Sequence, residues 1–556
     1  MMSNVPRLEW ENLASLLSVT VAVLAMVLLL VGFPPLRWIE PIEASFRRFA
    51  AKRSLCLALI PLLSLTVNAA IALHNGIPRP KVHDEFSYLL AADTFAHGRL
   101  TNPSPPLFEH FETPHELMQP TRMSKYPPGQ GIALMLGQIT CGKPIVGAWI
   151  STAAACAAIY WMLLAFVRLP WALLGGIVAS LNPALLDWSQ SYWGGSVAVL
   201  GGALLFGAWG RLMMRASIGA SIWLGIGLVV LANSRPFEGL LLSVPLLVAL
   251  SIHVRKHRSL LLVPCGLVLM IAAAWMGYYN YRVTGHFTRM PFIEYSARYD
   301  VYPKFWFLPM RPMPVYHNSS QRWLHAVFEK GLYEDLRIVS HFRVIASYRI
   351  GAFVMDSLKF AALLPGFVLG LSLIRDGRIR WVIISISAVL LGLLLENYDL
   401  QHYSAPATAG ILLLAMLGWS RIRQLRWQGK SLALAMAAGW LAGSVMSLMQ
   451  GPTHEWQGID QQQLVSMKPE LATGRHLIFV QYSPMMDFID GYQNEYVFNP
   501  ADMDLSRIIW ARHIDSKSDL LLTSHFPGRQ IWLLHVGARM DLTPYLMNGN
   551  SDHAGP

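Results

Sequence analysis

Runs of about 20 apolar residues, each long enough to cross the hydrocarbon layer of a bilayer, recur from near the start of this chain as far as residue 449. A bilayer core offers no water to the backbone, so such runs must fold as helices that satisfy their own N–H and C=O groups. Length and polarity place twelve spans, at 13–33, 54–73, 145–167, 171–186, 191–213, 219–234, 237–253, 259–279, 352–374, 380–396, 403–420 and 432–449. The pair near 219–253 is short enough to be one broken helix. Residues 130–141 are apolar but are interrupted by Gly142-Lys143-Pro144, which suits a dip into the interface. The chain is 54% hydrophobic and only 14% charged, against about 25% charged residues in a soluble domain. The expected fold class is mainly α: a polytopic helical membrane protein of about 12 transmembrane helices. The first run, Leu13 to Phe33, exceeds the ~7–15 apolar residues of a signal peptide and leaves through Gly32-Phe33-Pro34-Pro35, so it reads as a retained helix.

The net charge of +11 would suggest nucleic acid in a soluble protein. Here the basic residues collect in alternate loops, as membrane orientation demands, and no nucleic-acid partner is expected. The loop 34–53 holds Arg37, Arg47, Arg48, Lys52 and Arg53, and later loops hold Arg168, Arg211, Arg215, Arg255, Lys256, Arg375, Arg378, Arg421 and Arg423. The intervening short loops carry essentially Arg235 alone. This asymmetry assigns the basic loops to the cytoplasm. The N-terminus, the loops 74–144 and 280–351 and the C-terminal tail are then external. Cys56, Cys141, Cys156 and Cys265 form no Cys-x-x-Cys pair, which excludes a zinc or disulfide framework as the organising device.

Beyond Gly451 polar and charged residues return. Leu477–Tyr482, Arg507–Arg512 and Gln530–His535 read as short strands. The expected division is a transmembrane domain over 1–450 followed by a small external α/β domain over 451–556. Within the loop 280–351, residues 289–316 are rich in aromatic and basic side chains, among them Tyr295, Tyr299, Lys304 and Arg311, and 320–349 repeat apolar residues at helical spacing. Two readings stand: an interfacial helix with an aromatic belt, or a mobile cover that grips a lipid phosphate.

The polar stretch 82–130 is the part with chemistry in it. It opens with His83-Asp84-Glu85, passes Tyr88 and Asp93, and closes with Lys125-Tyr126-Pro127-Pro128-Gly129. Two carboxylates just past an apolar helix are costly near hydrocarbon and mark a functional site by default. An Asp-Glu pair with a Tyr three residues on, followed by Lys-x-Pro-Pro, resembles the GT-C glycosyltransferases, and within them the aminoarabinose transferase and protein O-mannosyltransferase branch. The resemblance runs over 55–420; the helix 13–33, ahead of the one leading into the Asp-Glu loop, departs from it. It implies an inverting transferase that moves a sugar, hexosyl or pentosyl, from a polyprenyl-phosphate donor to a lipid, glycan or protein acceptor. It also implies a plasma (inner) membrane protein, in contact with membrane lipids, whose active site and C-terminal domain face the periplasmic or extracellular side. A divalent cation, Mg or Mn, would share the work on the phosphate.

Such a transfer needs a general base for the acceptor and cationic groups for the departing phosphate. Asp84 is the expected base. Glu85 is adjacent and cannot point the same way on a helix, so it would orient or bind metal. The competing reading is an exposed acidic pair that complements the helix dipole. Asp187, at the end of Asn182-Pro183-Ala184-Leu185-Leu186-Asp187, is a second acid that the resemblance suggests by topology, and reads equally as a solvated loop residue. Tyr88 and Lys125 fall on the family pattern as substrate-binding residues, although Tyr126 intervenes before the Pro pair, and a snorkelling lysine competes with a phosphate contact at Lys125. Arg235 would fork onto phosphate or pair locally with Glu238. His402 and Tyr403 resemble a His-Tyr element of related transferases, with His402 expected to hydrogen-bond rather than ligate metal. His110, Glu112, His115 and Glu116 look metal-like, but Pro114 breaks the required helix and the spacing is not His-Glu-x-x-His, so they are read as a solvated loop.

Two rival functions remain. A transporter or flippase suits twelve spans, but would place polar residues and broken helices near the midplane in repeated halves, whereas no repeat is visible. A non-catalytic scaffold with this fold would use its C-terminal domain as the working part.

Overall fold

The computed structural model describes residues 16–17, 19–27, 39–80, 82–253, 258–425, 429–449, 461–483, 495–537 and 540–545. Among these, seven helices are long and apolar enough to cross a membrane, and two bent helix pairs bring the number to nine. Three further apolar helices, Ser196–Leu212, Ile218–Ala232 and Ala361–Arg375, are shorter. The chain is an integral membrane protein built mainly of α-helix. Eleven of the twelve expected spans coincide with these helices, and the described residues of the first, 16–17 and 19–27 of 13–33, are helical.

The chain folds as two units. One gathers residues 1–79, 140–274 and 339–454 and contains most of the apolar helices. At its centre is Ala405–Ile422, whose apolar window is 83% buried, whereas that of the peripheral Arg53–Asn75 is 22% buried and leaves leucines for lipid. Between apolar helices there is no hydrophobic drive, so close backbone approach supplies the cohesion. Gly418 shows it: a Cβ there would lie 1.8 Å from the Gly366 carbonyl oxygen on the neighbouring Leu364–Leu371 helix.

The expected break near 219–253 lies elsewhere. Ile218–Ala232 and Pro236–His253 are two separate helices. One of the two bent pairs is Leu169–Ser180 followed by Pro183–Ser189, at 47°. Pro183 cannot donate to the preceding turn. Asn182 caps the new helix, its side-chain oxygen accepting from the backbone of Ala184 and Leu185 at 2.9 and 3.4 Å. The Asn182 amide also donates to the Ser357 carbonyl at 2.9 Å. This local chemistry sets the short helix that carries Asp187.

The other unit is assembled from residues 80–139, 275–338 and 455–556. It holds two small sheets. Strands β1 (Asn102–Pro103), β2 (Glu116–Leu117) and β3 (Thr121–Ser124) form an antiparallel sheet in the order β1-β3-β2. Strands β4 (His476–Tyr482), β5 (Ile508–Arg512), β6 (Gln530–Val536) and β7 (Asp541–Pro544) form the second, in the order β5-β4-β6-β7. There β4 runs parallel to β5 and β6, and β7 closes the edge antiparallel to β6. The three strands expected from hydropathy are β4, β5 and β6. Alternation along β4 sends Ile478 and Val480 into one core with Trp510 and Leu534, and Leu477 and Phe479 into another. That second core includes Phe111 and Met118. The C-terminal sheet therefore shares its packing with the 82–130 stretch rather than closing on residues 451–556 alone.

Candidate functional site

The expected site residues fall into two groups, one in each unit. In the sheet-containing unit, Val82 is extended and the helix His83–Ala96 begins immediately after it. Asp84 and Glu85 occupy its first turn, where acidic groups complement the exposed N–H groups. Glu85 turns back, its Oε2 accepting from the Val82 backbone at 3.3 Å. Asp84 turns away. Its Oδ1 accepts a hydrogen bond from the Tyr126 hydroxyl, and its Oδ2 lies 3.5 Å from His115 Nε2. The pair thus starts the helix, as one reading had it, but both residues are buried rather than exposed.

Tyr126 is held for this task. Its ring stacks on Tyr88, centroids 4.5 Å apart and planes 20° from parallel. Tyr88 is itself buried, so it supports the wall behind Asp84. Lys125 lies beside it, its Nζ 4.6 Å from the Tyr295 ring centroid, 5.3 Å from Tyr126 and 5.6 Å from Phe292. A buried lysine against three aromatic faces is attracted by their quadrupoles, and it is not a residue snorkelling to an interface. Burial above all, with Lys125, His83 and His325 adding to it, holds the His115 imidazole well below its ordinary pKa. His115 is therefore neutral near pH 7, and it orients the Asp84 carboxylate without neutralising it.

His110, Glu112, His115 and Glu116 are not a solvated loop. All four are buried. His110 bonds the Arg512 carbonyl at 2.7 Å and the Ser518 hydroxyl at 2.9 Å. Glu112 accepts from the Tyr299 hydroxyl at 2.8 Å and sits 2.8 Å from His317 Nδ1. Glu116 pairs with Arg122 at 3.4 Å. The sequence reading failed because four of these partners, Tyr299, His317, Arg512 and Ser518, lie beyond residue 298, invisible to local spacing.

The C-terminal segment grips the helix that carries Asp84. Phe498 stacks on Phe86 with centroids 3.7 Å apart. The Ala501 N–H donates to Asp93 at 2.7 Å, and Gln138 donates to the other Asp93 oxygen at 2.8 Å. Arg122 donates to the carbonyls of Asn499 and Pro500 at 2.5 and 2.9 Å. Further along, the Tyr295 hydroxyl accepts from the His115 backbone N–H at 3.0 Å and lies 2.9 Å from His325 Nε2. Tyr295 is fully buried, so this part of the 280–351 loop is core and not an interfacial belt. Ligand atoms of Asp300, His325 and Glu329 converge within 4.8 Å of one another, a donor set that suits a divalent cation.

The second group lies in the apolar unit. The Arg235 guanidinium lies over the Tyr403 ring at 4.1 Å, and its ion pair with Glu238 is long at 3.8 Å. His402 packs on Trp193, centroids 5.1 Å apart, and on Tyr403. Arg349, which sequence reasoning missed, is buried and donates to the carbonyls of Leu393, Glu396 and Asn397 at 3.0, 2.7 and 2.8 Å. The available signal was a pair of arginines, Arg343 and Arg349, in the largely apolar helix Val339–Leu358. Asp187 lies 3.9 Å from Lys359, in a crevice lined by Ile71, Gln190 and Leu448.

A bundle of apolar helices together with a mixed α/β unit is a fold that this chain shares with solved membrane proteins. ArnT from Cupriavidus metallidurans in its apo state has this fold: it matches at a TM-score of 0.52 and 11% identity, over 88% of this chain and 96% of that one. ArnT from the same organism bound to undecaprenyl phosphate matches at 0.50 and 11% identity, over 87% and 92%. An oligosaccharyltransferase from Archaeoglobus fulgidus, in complex with zinc and sulfate, matches at 0.48 and 11% identity, over 86% and 67%. At these identities the likeness is one of fold. No family model and no curated protein matches the sequence.

Proposed function

We propose that this chain is an inverting glycosyltransferase that takes a sugar from a polyprenyl-phosphate donor, with Asp84 as general base. The observation that carries the reading is the seating of Asp84. One carboxylate oxygen is held by Tyr126 and the other faces neutral His115, with Lys125 alongside. A base that is fixed yet not neutralised can accept a proton from an acceptor hydroxyl or amine. The acceptor atom attacks the anomeric carbon, the bond from that carbon to the phosphate oxygen breaks, polyprenyl phosphate leaves, and the acceptor proton passes to Asp84. Glu85 starts the helix and fixes the direction of Asp84. Lys125 faces the phosphate. Arg235, whose guanidinium lies over the Tyr403 ring, is the residue type that forks onto phosphate; Glu238 and His402 shape its surroundings, and Asp187 is a further acid on its own short helix. The fold is shared with a protein solved with undecaprenyl phosphate, which favours that class of carrier.

The external side is supported by a convergence. The segments that the basic-loop asymmetry assigns to one face, 74–144, 280–351 and the tail, supply the three pieces of the sheet-containing unit. We place that unit on the periplasmic or extracellular side of the plasma membrane. The acceptor is a lipid, glycan or protein.

The test uses full-length protein in nanodiscs, radiolabelled polyprenyl-phosphate sugars and extracted lipids and glycans as acceptors, with Asp84→Asn beside wild type. Transfer by wild type, reduced about 10²- to 10⁴-fold in the variant with donor still retained, is the expected result. Retention without transfer to any acceptor removes the enzyme, and no retention removes the phosphate carrier.

A further inference from the structure

The cluster of Asp300, His325 and Glu329 has no part in the proton transfer just described. Asp300 ends the helix Pro291–Tyr299, and Glu329 opens the helix Glu329–Leu336. His325 lies between them in a π-helical turn, Leu324–Phe328. Such wide turns are rare and concentrate at functional sites, because they cost hydrogen-bond geometry and persist where a side chain must be aimed. Here the turn aims the imidazole Nδ1 at two carboxylates, 2.6 Å from Glu329 Oε2 and 3.3 Å from Asp300 Oδ1. His325 is fully buried and Glu329 nearly so.

The opposite edge of the ring faces Tyr295 and Gln321. The Tyr295 oxygen already accepts from the His115 N–H, and its own hydrogen points to Gln321 Oε1 at 3.2 Å. Gln321 Oε1 is an acceptor only, and it also lies 3.1 Å from His325 Nε2. Nδ1 is the ring nitrogen that faces the two carboxylates, at hydrogen-bonding distance from Glu329 Oε2. One nitrogen and two carboxylates that converge in a buried site need a proton or a cation among them, and an ion can take all three at once.

We propose that Asp300, His325 and Glu329 bind a divalent transition ion, Zn²⁺ or Mn²⁺. One nitrogen and two carboxylate oxygens suit these ions, whereas Mg²⁺ prefers oxygen ligands and keeps its waters. The Tyr295 hydroxyl is the partner that fixes the tautomer of the ligating histidine, as the outer groups around metal sites do. Through the same hydroxyl the ion braces the His115 backbone beside Asp84. These residues are positioning and ligating groups, and the site holds whether or not the chain transfers sugar.

The test reads metal and not turnover. Full-length protein purified without chelator is assayed for bound metal by mass spectrometry, and metal-stripped protein is titrated with Co²⁺ and followed by absorption. Wild type is expected to hold one equivalent, to give a ligand-field spectrum that Zn²⁺ abolishes, and to melt lower after chelation with recovery on adding Zn²⁺ or Mn²⁺. His325→Ala should lose the equivalent, and Glu329→Gln should bind at least about tenfold more weakly. X-ray absorption on the wild type should show a single imidazole in the metal shell, which decides the matter even where a variant does not fold. Wild type without stoichiometric metal, a metal shell lacking imidazole, or binding unchanged in folded His325→Ala overturns the site and leaves an imidazolium clamped by two carboxylates.

Discussion

Tyr126 donates its hydroxyl hydrogen to Asp84 Oδ1 across 42 residues of chain, and its ring is held in place by stacking on Tyr88. The residue that stands between Lys125 and the Pro pair is therefore the one that aims the expected base. Tyr126→Phe keeps the ring and its stacking and removes only the donor. The expected outcome is a fall in kcat of about tenfold, about 1.4 kcal/mol of transition-state stabilisation, with the KM for donor unchanged. Steady-state kinetics with a fixed acceptor checks it, and a rise in KM with kcat preserved would assign Tyr126 to substrate binding instead.

Arg235 supports a different prediction because it lies in the apolar unit, over the Tyr403 ring. If it forks onto the carrier phosphate, Arg235→Ala removes a charge-assisted hydrogen bond of about 1.5–3 kcal/mol, roughly a 10- to 100-fold loss of affinity. Arg235→Lys keeps the charge without the planar fork and should fall between. Binding of undecaprenyl phosphate to protein in nanodiscs measures both. Equal affinity for wild type and Arg235→Ala would return the residue to a local role beside Glu238.

The sequence made the apolar helices legible because lipid exposure needs nothing but length and hydropathy, and these survive without knowledge of partners. The broken span was also written locally, in Asn182-Pro183, yet the shortness of 219–253 drew the expectation there; hydropathy measures length and does not see a cap. Asp84 and Glu85 were found because two carboxylates beside an apolar run are conspicuous. His115 was read as part of a solvated loop and His325 was not singled out, since Asp84 comes within 3.5 Å of the one and Tyr295 within 2.9 Å of the other only through the fold. Burial misled in the same way at Glu112 and Glu116, whose charges suggested water and whose surroundings are protein.

Arg512 and Glu495 form a buried ion pair at 2.5 Å, with Glu495 also accepting from the Tyr482 hydroxyl and the Val497 N–H. Burial pushes the Glu495 carboxyl up, but Arg512, with His83 and these hydrogen bonds, outweighs it and holds the group below its usual range. Removing one partner leaves the other charge buried alone, which typically costs about 3–5 kcal/mol. Arg512→Ala should accordingly lower the Tm of the purified protein and expose the segment 495–502, which grips the Asp84 helix, to faster hydrogen exchange. A variant with unchanged Tm and exchange would mean that the pair contributes nothing to that grip.

His115 and Glu116 are neighbours whose burial drives stability in opposite directions with pH. Folding lowers the His115 pKa well below 6.5, chiefly by burial. The unfolded chain then takes up its proton first, so the contribution of His115 is present above the unfolded pKa and is lost as pH falls below it. Folding raises the Glu116 pKa from 4.5 to about 7, because burial exceeds the pull of Arg122. The folded chain keeps a proton that the unfolded chain has given up, so this contribution is complete below pH 4.5 and is lost as pH rises to about 7. For a fully buried group each pKa unit corresponds to about 1.4 kcal/mol, so Glu116 alone bends the profile by an amount on the order of a few kcal/mol. Denaturation of the detergent-solubilised protein across this range should show the two effects opposing one another. Glu116→Gln should remove the loss on the way up to about pH 7, leaving stability that rises with pH. His115→Gln should remove the loss on acidification and leave stability that falls as pH rises. If both variants follow the wild-type profile, neither side chain is as buried in the folded protein as its neighbours Tyr295 and Arg122 require.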